Sequence, residues 1–212
     1  MEIPENIINE AKQRIEPYAV EGFVLGKGDQ NSDIMVVGEA PGENEAVKGV
    51  PFIGRAGKEL DKQFNLLGWD REKVYITSVV RSRPYRWVEA NNESGQRKAN
   101  RKPNQKEIIA HAPLLDYQIR KVDPSVIVAL GGVAFKRLTG GEQRMSDVVG
   151  EVFETRVLCW DIEGGQWSES ERTYEIIPLY HPAAVFYNPK IRAEIESSLE
   201  KVRDYLGQNR KK

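Results

Sequence analysis

Apolar residues along the chain fall into helix-spaced stripes and short continuous runs, and the two kinds alternate. Ile3, Ile7, Ile8, Ala11 and Ile15 share one helical face, and Pro4 is tolerated in a first turn, so the spacing predicts an opening helix. Ile34-Met35-Val36-Val37 predicts a first buried strand. Helical spacing returns over residues 56–67 and stops at Gly68, a usual end signal. Val74-Tyr75-Ile76-Thr77, β-branched and aromatic, predicts a second strand. Residues 81–103 are polar and read as a loop before a longer helix, in which Ile108, Ile109, Ala112, Leu115, Ile119 and Val122 share a face and Pro113 predicts a bend. Val126–Leu130, closed by Gly131-Gly132, is a third strand, and Tyr174–Leu179 a fourth. Val152–Trp160 reads as an extra strand, and Ile191, Ile195, Leu199, Val202 and Leu206 mark a closing helix.

This alternation predicts an α/β fold: a three-layer α/β/α single domain around a central four-stranded parallel sheet. Residues 1–30 are expected to form a helix and loop packed on the domain, 31–207 the domain itself, and 208–212 a charged tail. Ligands of such sheets bind beyond the carboxyl ends of the strands. The segments GEAPG, SVVRSRP, LGGVA and YHPAA each lie at or just past the end of one of the four strands, so they are expected to meet at one rim.

Composition limits the chemistry at that rim. With 212 residues, 40% of them hydrophobic, the chain can bury one real core. A net charge of −1 means that a polyanion must be met by a local patch. No run approaches the roughly 20 apolar residues of a membrane span, and the acidic N-terminus does not resemble a leader, so a cytoplasmic location without membrane contact is expected. Cys159 is the one cysteine, which excludes an intrachain disulfide and a multi-thiolate cluster, and two histidines beside it argue against zinc. Neither a nucleoside-triphosphate loop nor a G-x-S-x-G elbow occurs. What remains is Glu39 at the end of the first strand, Ser78 near the end of the second, His181 past the fourth, and many bare backbone amides. Such a set can stabilise charge during bond breaking without a covalent intermediate. His111 reads as a helix residue without chemistry, and Cys159 as inert packing.

Residues 81–102 hold seven basic side chains (81, 83, 86, 97, 98, 101, 102) against two acidic ones (89, 93), a local net of +5. Tyr85 and Trp87 are interleaved with the arginines. Positive charge beside stackable rings suits a nucleic-acid backbone and an unstacked base.

GEAPG at 38–42 followed by PFIGRAG at 51–57, an Arg-Pro after the second strand and HPAAVFYNP at 181–189 resemble the uracil-DNA glycosylase superfamily, most closely its family four. The helix EIIAHAPLLDYQI and the strand PSVIVALGGVA are also similar, and the likeness covers about residues 33–206. It implies a monomeric, monofunctional hydrolase of base excision repair, whose partner is DNA containing uracil or another deaminated base. His181 would stabilise the anionic leaving base through its O2. Glu39 would orient or activate the attacking water, or offset positive charge on the sugar. The amides from Ala40 onward and the ring of Phe52 would face the base, and Ser78 would meet its pairing edge. Gly42, Gly54, Arg55 and Gly57 would lie along the phosphates, the helix begun near Ala56 offering its N-terminus. Arg83 and Arg86 would also contact DNA, and Val185, Phe186 and Tyr187 stand where the family places residues that enter the duplex.

Two departures stand out. Family four holds an iron-sulfur cluster with four cysteines, whereas Ser82 and His111 occupy two of those places and no cysteine precedes Asn31, so no cofactor or metal is expected. Ser78 stands where the family has an asparagine that pairs with uracil, which predicts weaker activity or a different deaminated base as substrate. Two other readings stay open: a nucleic-acid-binding relative without turnover, and an unrelated α/β enzyme binding a nucleotide or phosphorylated metabolite.

Overall fold

The computed structural model describes residues 2–91 and 93–209. Helix α1 (Glu5–Ile15) starts directly behind Pro4. Strands β1 (Val20–Glu21) and β2 (Lys27–Gly28) precede β3 (Ile34–Gly38), which is buried throughout. Helices α2 (Glu43–Lys48) and α3 (Arg55–Leu67) follow, α3 ending on Gly68 in the left-handed conformation. Next come β4 (Tyr75–Ser78), β5 (Arg83–Glu89), β6 (Gln96–Asn100) and α4 (Gln105–Val122). Asn104 and Glu107 close a reciprocal cap on α4, and the helix continues through Pro113. The remaining elements are β7 (Val126–Leu130), α5 (Gly132–Thr139), α6 (Met145–Val148), β8 (Phe153–Asp161), β9 (Gln166–Leu179), α7 (Ala184–Tyr187) and α8 (Arg192–Asn209). Helix α8 takes in Gln208 and Asn209 of the expected tail, and residues 210–212 lie outside the described residues.

The main sheet has the order β2-β4-β3-β7-β9-β8. Its four inner strands are mutually parallel, and β2 and β8 add antiparallel edges. The expected four-stranded sheet is therefore six-stranded. Strand β2 escapes the sequence because it is two residues long, and β9 begins eight residues earlier than its apolar part because its ribbon with β8 runs on over a largely exposed stretch.

Alternation along β3 explains why both faces are covered. Ile34 and Val36 point to a core built with Leu60, Phe64 and Leu67 of α3 and Ile195, Leu199 and Val202 of α8. Met35 and Val37 point the other way, to Leu115, Ile119 and Val122 of α4 and Ala134, Phe135 and Leu138 of α5. Helix α1 lies against α4 through Ile3, Ala11 and Leu114.

The segment expected to be a loop over 81–103 contains a hairpin. Strands β5 and β6 pair antiparallel, Tyr85 opposite Asn100 and Trp87 opposite Lys98, and β1 adds a third strand. Charged side chains dominate the hairpin, so no apolar alternation announces it. Among the described residues no helix is long and apolar enough to cross a membrane.

Candidate active site at the carboxyl rim of the sheet

Strand β3 lies between β4 and β7, so the chain leaves it in opposite directions and opens a crevice at its carboxyl end. Two adjoining clefts occupy this rim, of about 330 and 610 Å³, with Ala40, Pro41, Asn100, His181 and Ala183 in the walls of both. Phe52 and Ser78 line the first, Glu39 and Gly131 the second. The four strand tips thus meet, and His181 stands at the boundary.

Phe52 is held in an unusual state. Its φ of 52° is left-handed, a conformation that costs a non-glycine residue on the order of 1–3 kcal/mol and persists only where the surroundings impose it. Three groups impose it here. Glu45, buried one turn into α2, accepts hydrogen bonds on Oε1 from the amides of Ile53 (2.9 Å) and Gly54 (2.7 Å). Arg71 donates to the carbonyl oxygens of Pro51 and Phe52, both at 2.8 Å. Gly57 lies so close beneath that a Cβ there would stand 1.9 Å from the Phe52 oxygen. The ring is left as a plate 6.0 Å from the His181 imidazole, inclined by 36°.

His181 stands two residues past the end of β9. Its Nδ1 accepts the amide of Ala183 at 3.2 Å, and its carbonyl accepts the amide of Ala184. The lone pair on Nδ1 being used, the single proton of the neutral ring sits on Nε2. Burial holds the pKa down at about 4, against a small opposing pull from Glu45, so the ring is a neutral donor at physiological pH. Glu39 is half-buried in the second cleft, and its carboxylate makes no hydrogen bond among the described residues. Burial raises its pKa above the ordinary carboxylate range, and Lys102 pulls it back in part.

Ser78 is buried at the end of β4, and its carbonyl accepts from the Arg81 guanidinium. Gly42, Gly54, Arg55, Phe186 and Tyr187 all line the first cleft with Ala40. The Arg55 guanidinium sits 4.3 Å over the Phe186 ring, while Tyr187 is 88% exposed. Three residues expected on DNA have other surroundings. Gly57 lies under Phe52, Val185 belongs to the core against α3 and α8, and Arg83 is buried between Glu21 and Asn100. Arg86 is exposed on the hairpin.

Much of the expected basic patch is neutralised by acids from elsewhere in the chain. Arg83 and Lys98 converge on Glu21, Arg101 pairs with Glu107 at 2.6 Å, and Arg81 is fully buried. Arg86, Arg97 and Lys102 remain exposed.

Sequence reasoning missed Asn100 and Glu45. The hairpin carries Asn100 into both clefts, where its Oδ1 accepts from Arg83 Nε at 2.6 Å. That bond fixes the amide, so Nδ2 is the group directed at the loop, 3.7 Å from where a Cβ on Gly42 would lie. The one sequence signal was its position inside the basic segment 81–102.

The places the resemblance assigns to cluster ligands do not fit such a group. Ser82 and His111 are fully buried, His111 Nδ1 accepts the Arg81 amide, and Cys159 lies apart on β8. Among the described residues no group of three metal-binding side chains gathers anywhere.

A slot walled by Phe52 and His181 in a cleft of about 330 Å³, set at the carboxyl rim of a parallel sheet with a carboxylate on the adjoining cleft, defines an α/β protein with a small-ligand site at its strand tips. A sequence model of the Uracil DNA glycosylase superfamily matches residues 25–205, and the chain belongs to that superfamily. It is similar to the Type-4 uracil-DNA glycosylase of Saccharolobus solfataricus, 37% identical over 190 residues covering 86% of this chain and 76% of the relative. The Type-4 uracil-DNA glycosylase of Sulfurisphaera tokodaii is 34% identical over 203 residues, 95% of this chain and 82% of the relative. That of Archaeoglobus fulgidus is 34% identical over 189 residues, 87% and 82% of the two chains.

Proposed function

We propose that this protein is a DNA glycosylase that takes uracil, or a related deaminated base, out of the helix and hydrolyses its N-glycosidic bond. The observation that carries the reading is the cleft that Phe52 and His181 line together, with Glu39 on the adjoining cleft. Relatives named as Type-4 uracil-DNA glycosylases support it.

The everted base stacks on Phe52, and the backbone beyond Glu39 approaches it from the β3 tip. Heterolysis of the C1′–N1 bond leaves the electron pair on the base. The Nε2 proton of neutral His181 hydrogen-bonds the developing O2 anion without first having to lose a charge of its own. Water adds to C1′ as the sugar becomes cationic. Glu39, whose carboxylate has no hydrogen-bond partner among the described residues, orients that water, offsets the sugar charge and receives the proton. The amide of Gly54 is already taken by Glu45, so phosphate recognition falls to Arg55, Gly42 and the first turn of α3. Arg86 adds charge from the hairpin, and Phe186 with Tyr187 occupies the space the base leaves. Ser78 offers the pairing edge one hydroxyl in place of an amide, which favours weaker selectivity for uracil over other deaminated bases.

All of these groups belong to one chain, which supports action as a monomer; we place it in the cytoplasm, with 31–207 as the glycosylase domain and 1–30 packed upon it. The test is incubation with single- and double-stranded oligonucleotides carrying one deoxyuridine, followed by alkali. Scission at the uracil position is expected. Intact strands at enzyme excess with uracil, hypoxanthine and xanthine substrates would overturn the reading.

A further inference from the structure

Arg81 is the largest of the fully buried side chains, and it has no carboxylate partner among the described residues. Its Nη1 donates to the Ser78 carbonyl, its Nη2 to Gln118 Oε1, and its Nε has no hydrogen-bond partner. The carboxylate nearest in influence, Asp116, is committed to Arg137 at 2.5 Å and to the amide of Trp160 at 2.8 Å. The Arg81 amide donates to His111 Nδ1 and its carbonyl accepts from Val24, so the backbone is pinned as firmly as the side chain. Burial lowers its pKa to about 10, which leaves the guanidinium charged at neutral pH.

An unpaired buried charge is expensive, and a methionine or leucine of similar reach would avoid that cost. Its location gives it a use. The segment it anchors is tied to the tip of β3, because Val79 donates to the Gly38 carbonyl at 2.8 Å and Val80 to that of Glu39 at 3.2 Å. Ser78, whose carbonyl the guanidinium grips, lines the slot of Phe52 and His181.

We propose that Arg81 is a positioning residue of the glycosylase reaction: it fixes the Ser78 peptide and the β3 tip, and its uncompensated positive charge, acting through that peptide, stabilises the anion of the departing base. The inference rests on the glycosylase reading. The charge acts on the electron pair that the base carries away from C1′, which spreads over N1 and O2, so it complements His181 from behind the slot. A low-dielectric setting without an ion-pair partner is where such a field is strongest.

The test compares single-turnover rates on DNA carrying deoxyuridine and on DNA carrying 5-fluorodeoxyuridine, whose fluorine already stabilises the anion. Wild-type cleavage of the uracil strand comes first; its failure would sink the glycosylase reading and not this inference alone. Arg81→Met is expected to lose roughly tenfold or more on uracil and clearly less on fluorouracil, with DNA affinity unchanged. Gln118→Glu leaves Arg81 in place and gives it a carboxylate, so it should show the same selective loss, and it carries the test should Arg81→Met not fold. Arg81→Lys, which keeps the charge, should restore the wild-type ratio between the two bases. An equal proportional loss on both bases, or no loss in Gln118→Glu, would overturn the proposal.

Discussion

The ring of Phe52 rests on Gly38: a methyl group at Gly38 would stand 2.5 Å from Phe52 Cζ. Gly38→Ala must therefore tilt the plate out of the slot, although an extended strand tolerates alanine. Lost stacking is worth about 1–3 kcal/mol per base, so kcat/KM on a uracil strand should fall roughly 10- to 100-fold while the melting temperature changes little. An unchanged kcat/KM would show that the base does not lie on Phe52.

Glu45 joins the two halves of the glycine-rich motif by holding the amides of Ile53 and Gly54 on one oxygen. Glu45→Ala strands both amides and releases Phe52 from its left-handed conformation. A destabilisation of about 2–4 kcal/mol is expected in urea titration, with activity falling further than stability accounts for. Equal stability in wild type and variant would contradict the clamp.

In the proposed reaction Glu39 must be ionised to act, and burial keeps it protonated to a higher pH than an ordinary carboxylate. The single-turnover rate should therefore climb with pH along an acid limb above the ordinary glutamate value of 4.5. Lys102→Gln removes the opposing charge and should move that limb to higher pH. Glu39→Gln should abolish it and lower the rate about 10²- to 10⁴-fold. A limb that persists in Glu39→Gln belongs to another group.

Stability has its own pH dependence. His181 and His111 titrate at about 4 and about 3 when folded, against 6.5 as free groups. Between those values the unfolded chain binds protons that the folded chain refuses, so stability is fully present above pH 6.5 and is lost as pH falls towards 4. Glu39, with its raised pKa, works in the opposite sense. The unfolding free energy should drop by roughly 3 kcal/mol between pH 7.5 and pH 5, and His111→Asn should reduce that drop. A flat profile would mean that the two imidazoles are not buried neutral.

Asn100 presents a donor to the cleft only because Arg83 occupies its oxygen. Asn100→Ala should weaken DNA binding about 2- to 10-fold, the range of one hydrogen bond. Asn100→Asp suits Arg83 better yet turns a carboxylate towards the phosphates, so it should bind DNA still more weakly while melting no lower than wild type. Competition binding on one duplex separates these outcomes.

The inner strands and the helices that cover them were legible because their apolar runs and glycine stops report burial on both faces, as in Ile34–Val37 and at Gly68. Glu39 and His181 were legible as chemistry-bearing side chains at strand ends, Phe52 only through the family resemblance, and the three line adjoining clefts. The hairpin was not legible, because its strands are stabilised by ion pairs between distant parts of the chain and not by an apolar face. Arg83 finds Glu21, 62 residues earlier, and no local pattern encodes such a partner. The same distance effect hid the burial of Arg81, whose ligand Gln118 lies 37 residues away, and the delivery of Asn100 to the cleft.

Glu21 receives both Arg83 and Lys98, and β1 zips onto β5 beside it. The leading segment is thus a brace for the arm that brings Asn100 to the clefts. Shortened versions of the protein that start after residue 21 would keep the whole parallel sheet and still lose their grip on substrate, so a trimming series would show a sharp step at that residue and not a gradual decline.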